Sequence, residues 1–159
     1  MNILQAIDDP NVFAGAFREK ESWKPWRAFL AALFGLGMDQ EGEAIYRHCA
    51  ARQNLPVQPF NEAWLVCGRR GGKSQMMALI AVYLAIFRDY RPYLSAGERV
   101  IVFVVAADKK QAKVVLRYVQ GLLHHAPALE RLIEAEREES IDLSNSVSIE
   151  VAIGRRRIV

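Results

Sequence analysis

The most constraining feature of this chain is a glycine-rich turn, Cys67-Gly68-Arg69-Arg70-Gly71-Gly72-Lys73-Ser74, set between two apolar stretches. Before it stands the short run Ala63-Trp64-Leu65-Val66-Cys67, and after it the apolar segment from Lys73 to Phe87. The first reads as a strand and the second as a buried helix, so the turn joins a strand to the N-terminus of a helix. In that context Gly-Gly-Lys-Ser points to a phosphate-binding loop. Glycines let the backbone curl and bring its amides close to an anion, and the helix that follows adds the positive end of its dipole. Lys73 is then placed to reach the β- and γ-phosphates, and the Ser74 hydroxyl to meet Mg²⁺. The plainer alternative is a tight glycine turn carrying two solvated arginines.

The spacing is shifted from the common phosphate-loop pattern. Cys67 occupies the usual first glycine position, and Gly68 follows one residue later. Arg69 and Arg70 fall inside the loop. An arginine there is placed to neutralise charge that develops in phosphoryl transfer, with Arg69 the stronger candidate. For either one the plainer role is a solvent-facing or carboxylate-paired side chain.

The rest of the chain supplies a frame for this loop. Trp23, Trp26, Phe29, Leu30, Leu33 and Phe34 recur at intervals of three and four, which predicts an amphipathic helix that ends near Gly35 and Gly37. A second helix is expected from about Gln40 to Ala51, and a proline-containing loop from Gln53 to Pro59. Arg52, in a loop ahead of the first strand, is a further candidate for a place near nucleotide. The unbroken run Arg99–Ala107 reads as a strand buried on both faces. Asp108 to about His124 reads as a helix, and Pro127–Glu139 as another with an acidic outer face. Ser140–Leu143 and Val147–Ile153 read as a hairpin about Ser144–Ser146. The expected fold class is α/β, a parallel sheet flanked by helices with an appended hairpin. Residues 1–58 form a helical segment leading into a core over residues 59–159.

Composition narrows the partners only slightly. At 159 residues and 52% hydrophobic content the chain has enough apolar material for a packed core. A net charge of +3 is compatible with a nucleic-acid partner. Cys49 and Cys67 have neither metal-ligand spacing nor a disulfide framework, in keeping with a reducing compartment. Met76–Phe87, the longest apolar run, is shorter than the roughly 20 residues a membrane span requires. The N-terminus has no signal-peptide pattern, so no membrane role is expected.

The loop and its surroundings resemble the ATPase domain of tailed-bacteriophage terminase large subunits. That family often carries Gly-Arg-Arg-Ser-Gly-Lys-Ser/Thr; here Gly68–Ser74 reads Gly-Arg-Arg-Gly-Gly-Lys-Ser, with Gly71 at the variable position. The upstream segment SWKPWRAFLAALFG (Ser22–Gly35) is similar to the family's tryptophan-rich helix. Arg27 stands where members often have a glutamine that reads adenine. Phe103–Ala112 and the hairpin IDLSNSVSIEV resemble later family segments, with Asn145-Ser146 in place of the usual Asn-Gly.

The resemblance implies a P-loop NTPase that binds ATP and Mg²⁺ through Gly68, Arg69, Arg70, Gly71, Gly72, Lys73 and Ser74. In it Lys73 and Arg69 act on the transferred phosphate, and Ser74 holds the metal. It implies double-stranded DNA, a portal protein and a small terminase subunit as partners, a homo-oligomeric ring on the portal, and the cytoplasm of a bacterial host. Such an ATPase needs an apolar strand ending in Asp-Glu, which this sequence does not contain. Asp108, the nearest candidate, is followed by Lys109 and suits a helix N-cap better. The core is therefore expected to be incomplete at its C-terminal end and without a nuclease domain. The chain by itself is expected to bind nucleotide without turning it over at a motor's rate. Two other readings stay open: another P-loop ATPase such as a helicase-like translocase, and a non-catalytic nucleotide-binding or interaction module. Among other polar groups, His124 and His125 suit a helix end better than a metal site, and Arg155–Arg157 form a basic end open to phosphate contacts.

Overall fold

A computed structural model describes residues 1–154. The basic stretch Arg155–Arg157 lies outside the described residues. The chain forms two compact units, Met1–Arg69 and Arg70–Val159.

The first unit is helical. Helix α1 (Ile3–Asp8) starts with a reciprocal capping box: Asn2 Oδ1 accepts from the Gln5 amide at 2.9 Å, and Gln5 Oε1 accepts from the Asn2 amide at 2.8 Å. Helix α2 (Lys24–Leu33) takes Pro25 in its first turn and buries Ala28, Leu30, Ala31 and Ala32. Edge-on aromatic contacts flank its first turns, the N-cap Trp23 with Phe17 at 5.1 Å and Trp26 with Phe29 at 5.8 Å. Helix α3 (Gln40–Ala50) is capped by Asp39, whose carboxylate accepts from the Gly42 amide at 2.8 Å, and packs against α2. Both helices match the expected ranges closely.

Gly35 ends the α2 region with φ +63°. A Cβ there would sit 2.4 Å from the Gln58 carbonyl carbon and 2.5 Å from the Pro59 nitrogen, both backbone atoms. Nearby, the Phe60 amide donates to the Leu33 carbonyl at 2.9 Å. Gly35→Ala therefore meets two penalties, a left-handed φ and a backbone clash. It is expected to lower stability by more than about 1 kcal/mol in a denaturant titration; an unchanged midpoint would contradict this packing.

The second unit is an α/β layer pair. Helix α4 (Lys73–Phe87) buries Met76, Ala78, Leu79, Ala81, Val82 and Ala85. Helix α5 (Lys109–His125) lies beside it, and both pack on strands β1 (Val100–Ala106) and β4 (Val147–Ile153). The four-stranded sheet is completed by β2 (Ile133–Glu136) and β3 (Ser140–Leu143), in the order β1-β4-β3-β2. The pair β1–β4 is parallel, Val102 lying beside Ile149; β4–β3 and β3–β2 are antiparallel. The Asn145 side-chain amide donates to the Ala85 carbonyl at 2.7 Å, fastening the hairpin turn to the C-terminal end of α4. None of the described helices is long and apolar enough to cross a membrane.

Four expectations are corrected. The sheet is mixed, with one parallel pair, rather than parallel. The run Ala63–Cys67 is not a strand: it forms no ladder, and Trp64 and Val66 are fully open to solvent. An apolar run becomes a strand only where a neighbour satisfies its backbone groups, and sequence spacing does not supply that neighbour. Strand β1 is not buried on both faces either. Val104 and Ala106 face the helices, while Ile101, Phe103 and Val105 are more than half exposed on the other side.

The segment expected as one acidic helix over Pro127–Glu139 divides instead. A short helix α6 (Pro127–Glu130) is followed by β2, in which Ile133 and Ala135 alternate with Glu134 and Glu136. That alternation has the period of a strand, and the ladder to β3 satisfies it. Glu134 consequently stands on a strand, where it pairs with Arg99 at 2.7 Å.

Candidate phosphate-binding loop

The boundary between the two units falls between Arg69 and Arg70. On the far side of it, the loop geometry is that of a helix start. Gly72 has φ 79° and ψ 7°, a left-handed conformation that favours glycine, and it is the N-cap of α4. It contributes no side chain to cap the first turn. Lys73 and Ser74 are therefore the first two residues of a long buried helix, with the Lys73 side chain exposed and Ser74 half-buried. Met76, the first fully buried residue of α4, fixes the register that leaves both of them at the helix mouth. A glycine cap, a cation and a hydroxyl at a helix N-terminus suit an anion such as a phosphate group.

Arg70 also has positive φ, 62°. For a non-glycine residue this conformation is uncommon and costs on the order of 1 kcal/mol. Sequence spacing gave no signal of it. Arg69 and Arg70 form a turn and are both exposed, as is Gly68. A Cβ added at Gly68 would meet nothing within 4 Å, so space alone does not demand a glycine there.

The other polar residues singled out from sequence have structural partners. Asp108 caps α5, its Oδ1 accepting from the Gln111 amide at 2.8 Å, so it serves as a cap. Arg27 makes a two-pronged pair with Asp8 at 3.1 and 2.8 Å. Arg52 lies over the Phe60 ring at 5.6 Å, a cation–π contact. Among the described residues no group of His, Cys, Asp and Glu has the arrangement of a metal site.

His124 is bonded on both ring nitrogens: Nδ1 is 2.9 Å from Glu130 and Nε2 is 2.7 Å from Glu136. Only the imidazolium donates from both nitrogens. The hydrogen bonds to Glu130 and then Glu136 hold its pKa above the ordinary histidine value of 6.5. The folded state thus keeps this proton more tightly than the unfolded chain does. The stabilisation is complete below the unfolded value and is lost as pH rises through the higher folded value. His124→Gln is expected to remove that component from the pH dependence of stability. A His124 ring titrating at or below 6.5 by NMR would contradict the bridge.

Compared with protein-family models, curated proteins and solved structures, the chain matches none of them.

Proposed function

We propose that this chain is the nucleotide-binding part of a viral DNA-packaging ATPase of the terminase large-subunit kind, acting on double-stranded DNA in the cytoplasm of a bacterial host. The observation that carries this reading is the start of α4: a left-handed glycine cap, then Lys73 and Ser74, then a helix anchored in the core. The loop sequence Gly-Arg-Arg-Gly-Gly-Lys-Ser supports the terminase assignment over a general nucleotide-binding helix. The reading makes the fold a P-loop NTPase, with a portal protein, a small terminase subunit and further copies of the chain in a ring as its partners.

In this reading the first-turn amides of α4 and Gly71 and Gly72 receive the β-phosphate, whose charge the helix dipole favours. Lys73 neutralises the β- and γ-phosphate oxygens. Ser74 would offer its hydroxyl to Mg²⁺, and the metal would supply positive charge to the β- and γ-phosphates. Arg69 and Arg70 meet the charge that grows on the γ-phosphate in the transition state.

Recognition through phosphate predicts a particular competition order. In equilibrium dialysis with Mg·ATP, ADP and inorganic triphosphate should displace the nucleotide, and adenosine should not. Displacement by adenosine, with none by triphosphate, would assign the site to the base and overturn the reading.

A further inference from the structure

The first two turns of α5 carry a cationic surface that the phosphate loop does not use. Lys109, Lys110, Lys113 and Arg117 all fall within an arc of about 100° on this helix. Ala112, Val115, Leu116 and Val119 occupy the adjacent arc and are buried. The four cations are therefore held outward by a rigid, core-anchored helix. Together with Arg137 and Glu138 they line an open groove of about 480 Å³.

The charge balance of this groove is strongly positive. Glu138 is the sole carboxylate on its lining, and it bonds Lys113 at 2.9 Å with Lys109 at 4.0 Å. Arg137 pairs with Asp142. Lys110 and Arg117 have no carboxylate partner among the described residues. The basic character stops one turn further on, where Gln120 and His124 both bond Glu136. The cationic surface is thus a bounded stripe with a polar-acidic end.

We propose that this stripe docks the phosphate backbone of duplex DNA. From Lys109 to Arg117 the helix advances about 12 Å. One DNA strand rises about 3.4 Å per phosphate along the axis while winding around it, so neighbouring phosphates lie roughly 7 Å apart through space and the stripe spans two to three of them. An acidic peptide would need its charges on a matching rigid spacing, whereas duplex DNA supplies it intrinsically. The groove offers mainly cations, so it positions DNA without reading its sequence. The choice of DNA as the polyanion rests on the translocase reading above; the stripe itself does not involve Lys73 or Ser74.

The test is fluorescence anisotropy of a labelled duplex of random sequence, titrated with the chain across a range of salt. Each phosphate neutralised contributes about 0.9 to the slope of log affinity against log salt. The variant Lys110→Gln/Lys113→Gln/Arg117→Gln is expected to lower the slope by about 2.7 and weaken binding about tenfold or more. Replacing the same three positions so that charge is kept (Lys110→Arg, Lys113→Arg, Arg117→Lys) should retain binding. A control removing equal charge elsewhere on this unit, Arg88→Gln/Arg91→Gln/Arg131→Gln, should leave most of the slope in place.

No binding by the parent chain would overturn the proposal, as would an unchanged slope in the first variant or an equal loss in the control. Equal competition by polyglutamate at matched charge would overturn it in favour of an acidic protein partner. Lys73→Ala should bind DNA as the parent does while losing Mg·ATP, which separates failure of the stripe from failure of the phosphate loop.

Discussion

Mg·ATP is expected to raise the thermal midpoint of the parent chain and to leave that of Lys73→Ala where it is without ligand. Binding to the folded state alone stabilises it by about 2.7 kcal/mol when ligand is at 100 times its dissociation constant. For a chain of this size that corresponds to a rise of about 5–10 °C. The substitution is well suited to the purpose. Lys73 is the first residue of α4 and its side chain is exposed, so alanine neither opens a cavity nor opposes the helix. Each midpoint is therefore compared with its own unliganded value, and the rise with nucleotide should appear in the parent alone. An equal rise in both would mean that the ammonium group is not part of the site.

The second large effect belongs to the core that holds this helix in place. Ile149 is fully buried in β4, between Val102 of β1 and Ile141 of β3. It thus joins the one parallel pair of the sheet to the antiparallel hairpin. Ile149→Ala removes buried methyl and methylene groups from a site fixed by ladder bonds on both sides, so little collapse is available to fill the space. A loss of about 2–5 kcal/mol is expected in a denaturant titration. Ile153, in the same strand but 41% exposed, is the internal comparison, and its alanine variant should cost far less. Equal losses at the two positions would contradict the assignment of the helix-covered face as the core.

The features legible in the sequence were those whose physics is local. The range of α4 follows from a continuous apolar run opened by glycines, and the hairpin follows from two alternating stretches about Ser144–Ser146. Helix α5 announces itself through Asp108 as a cap and an apolar stripe beside a basic one. What stayed hidden depends on partners far along the chain. Whether Ala63–Cys67 joins a ladder is decided by a free strand edge, and no property of those five residues specifies one. The open face of β1 is hidden for the same reason, since Ile101, Phe103 and Val105 are as apolar as any buried strand.

Strand β2 was legible in principle. Ile133 and Ala135 alternate with glutamates, but the short length and the acidic run beyond it favoured a helix with one charged face. At the candidate site, the glycine cap at Gly72 followed from the motif. The left-handed backbone of Arg70 did not, because nothing in an arginine side chain signals that conformation.

Backbone amide NMR of the labelled chain, with and without Mg·ATP, tests the assignment of the loop most directly. Nucleotide held at the start of α4 should move the amide resonances of Gly71, Gly72, Lys73 and Ser74 most, and Lys73→Ala should suppress those shifts. Shifts that instead centre on the α5 groove, or that persist unchanged in Lys73→Ala, would contradict the placement of the phosphate site at Gly68–Ser74.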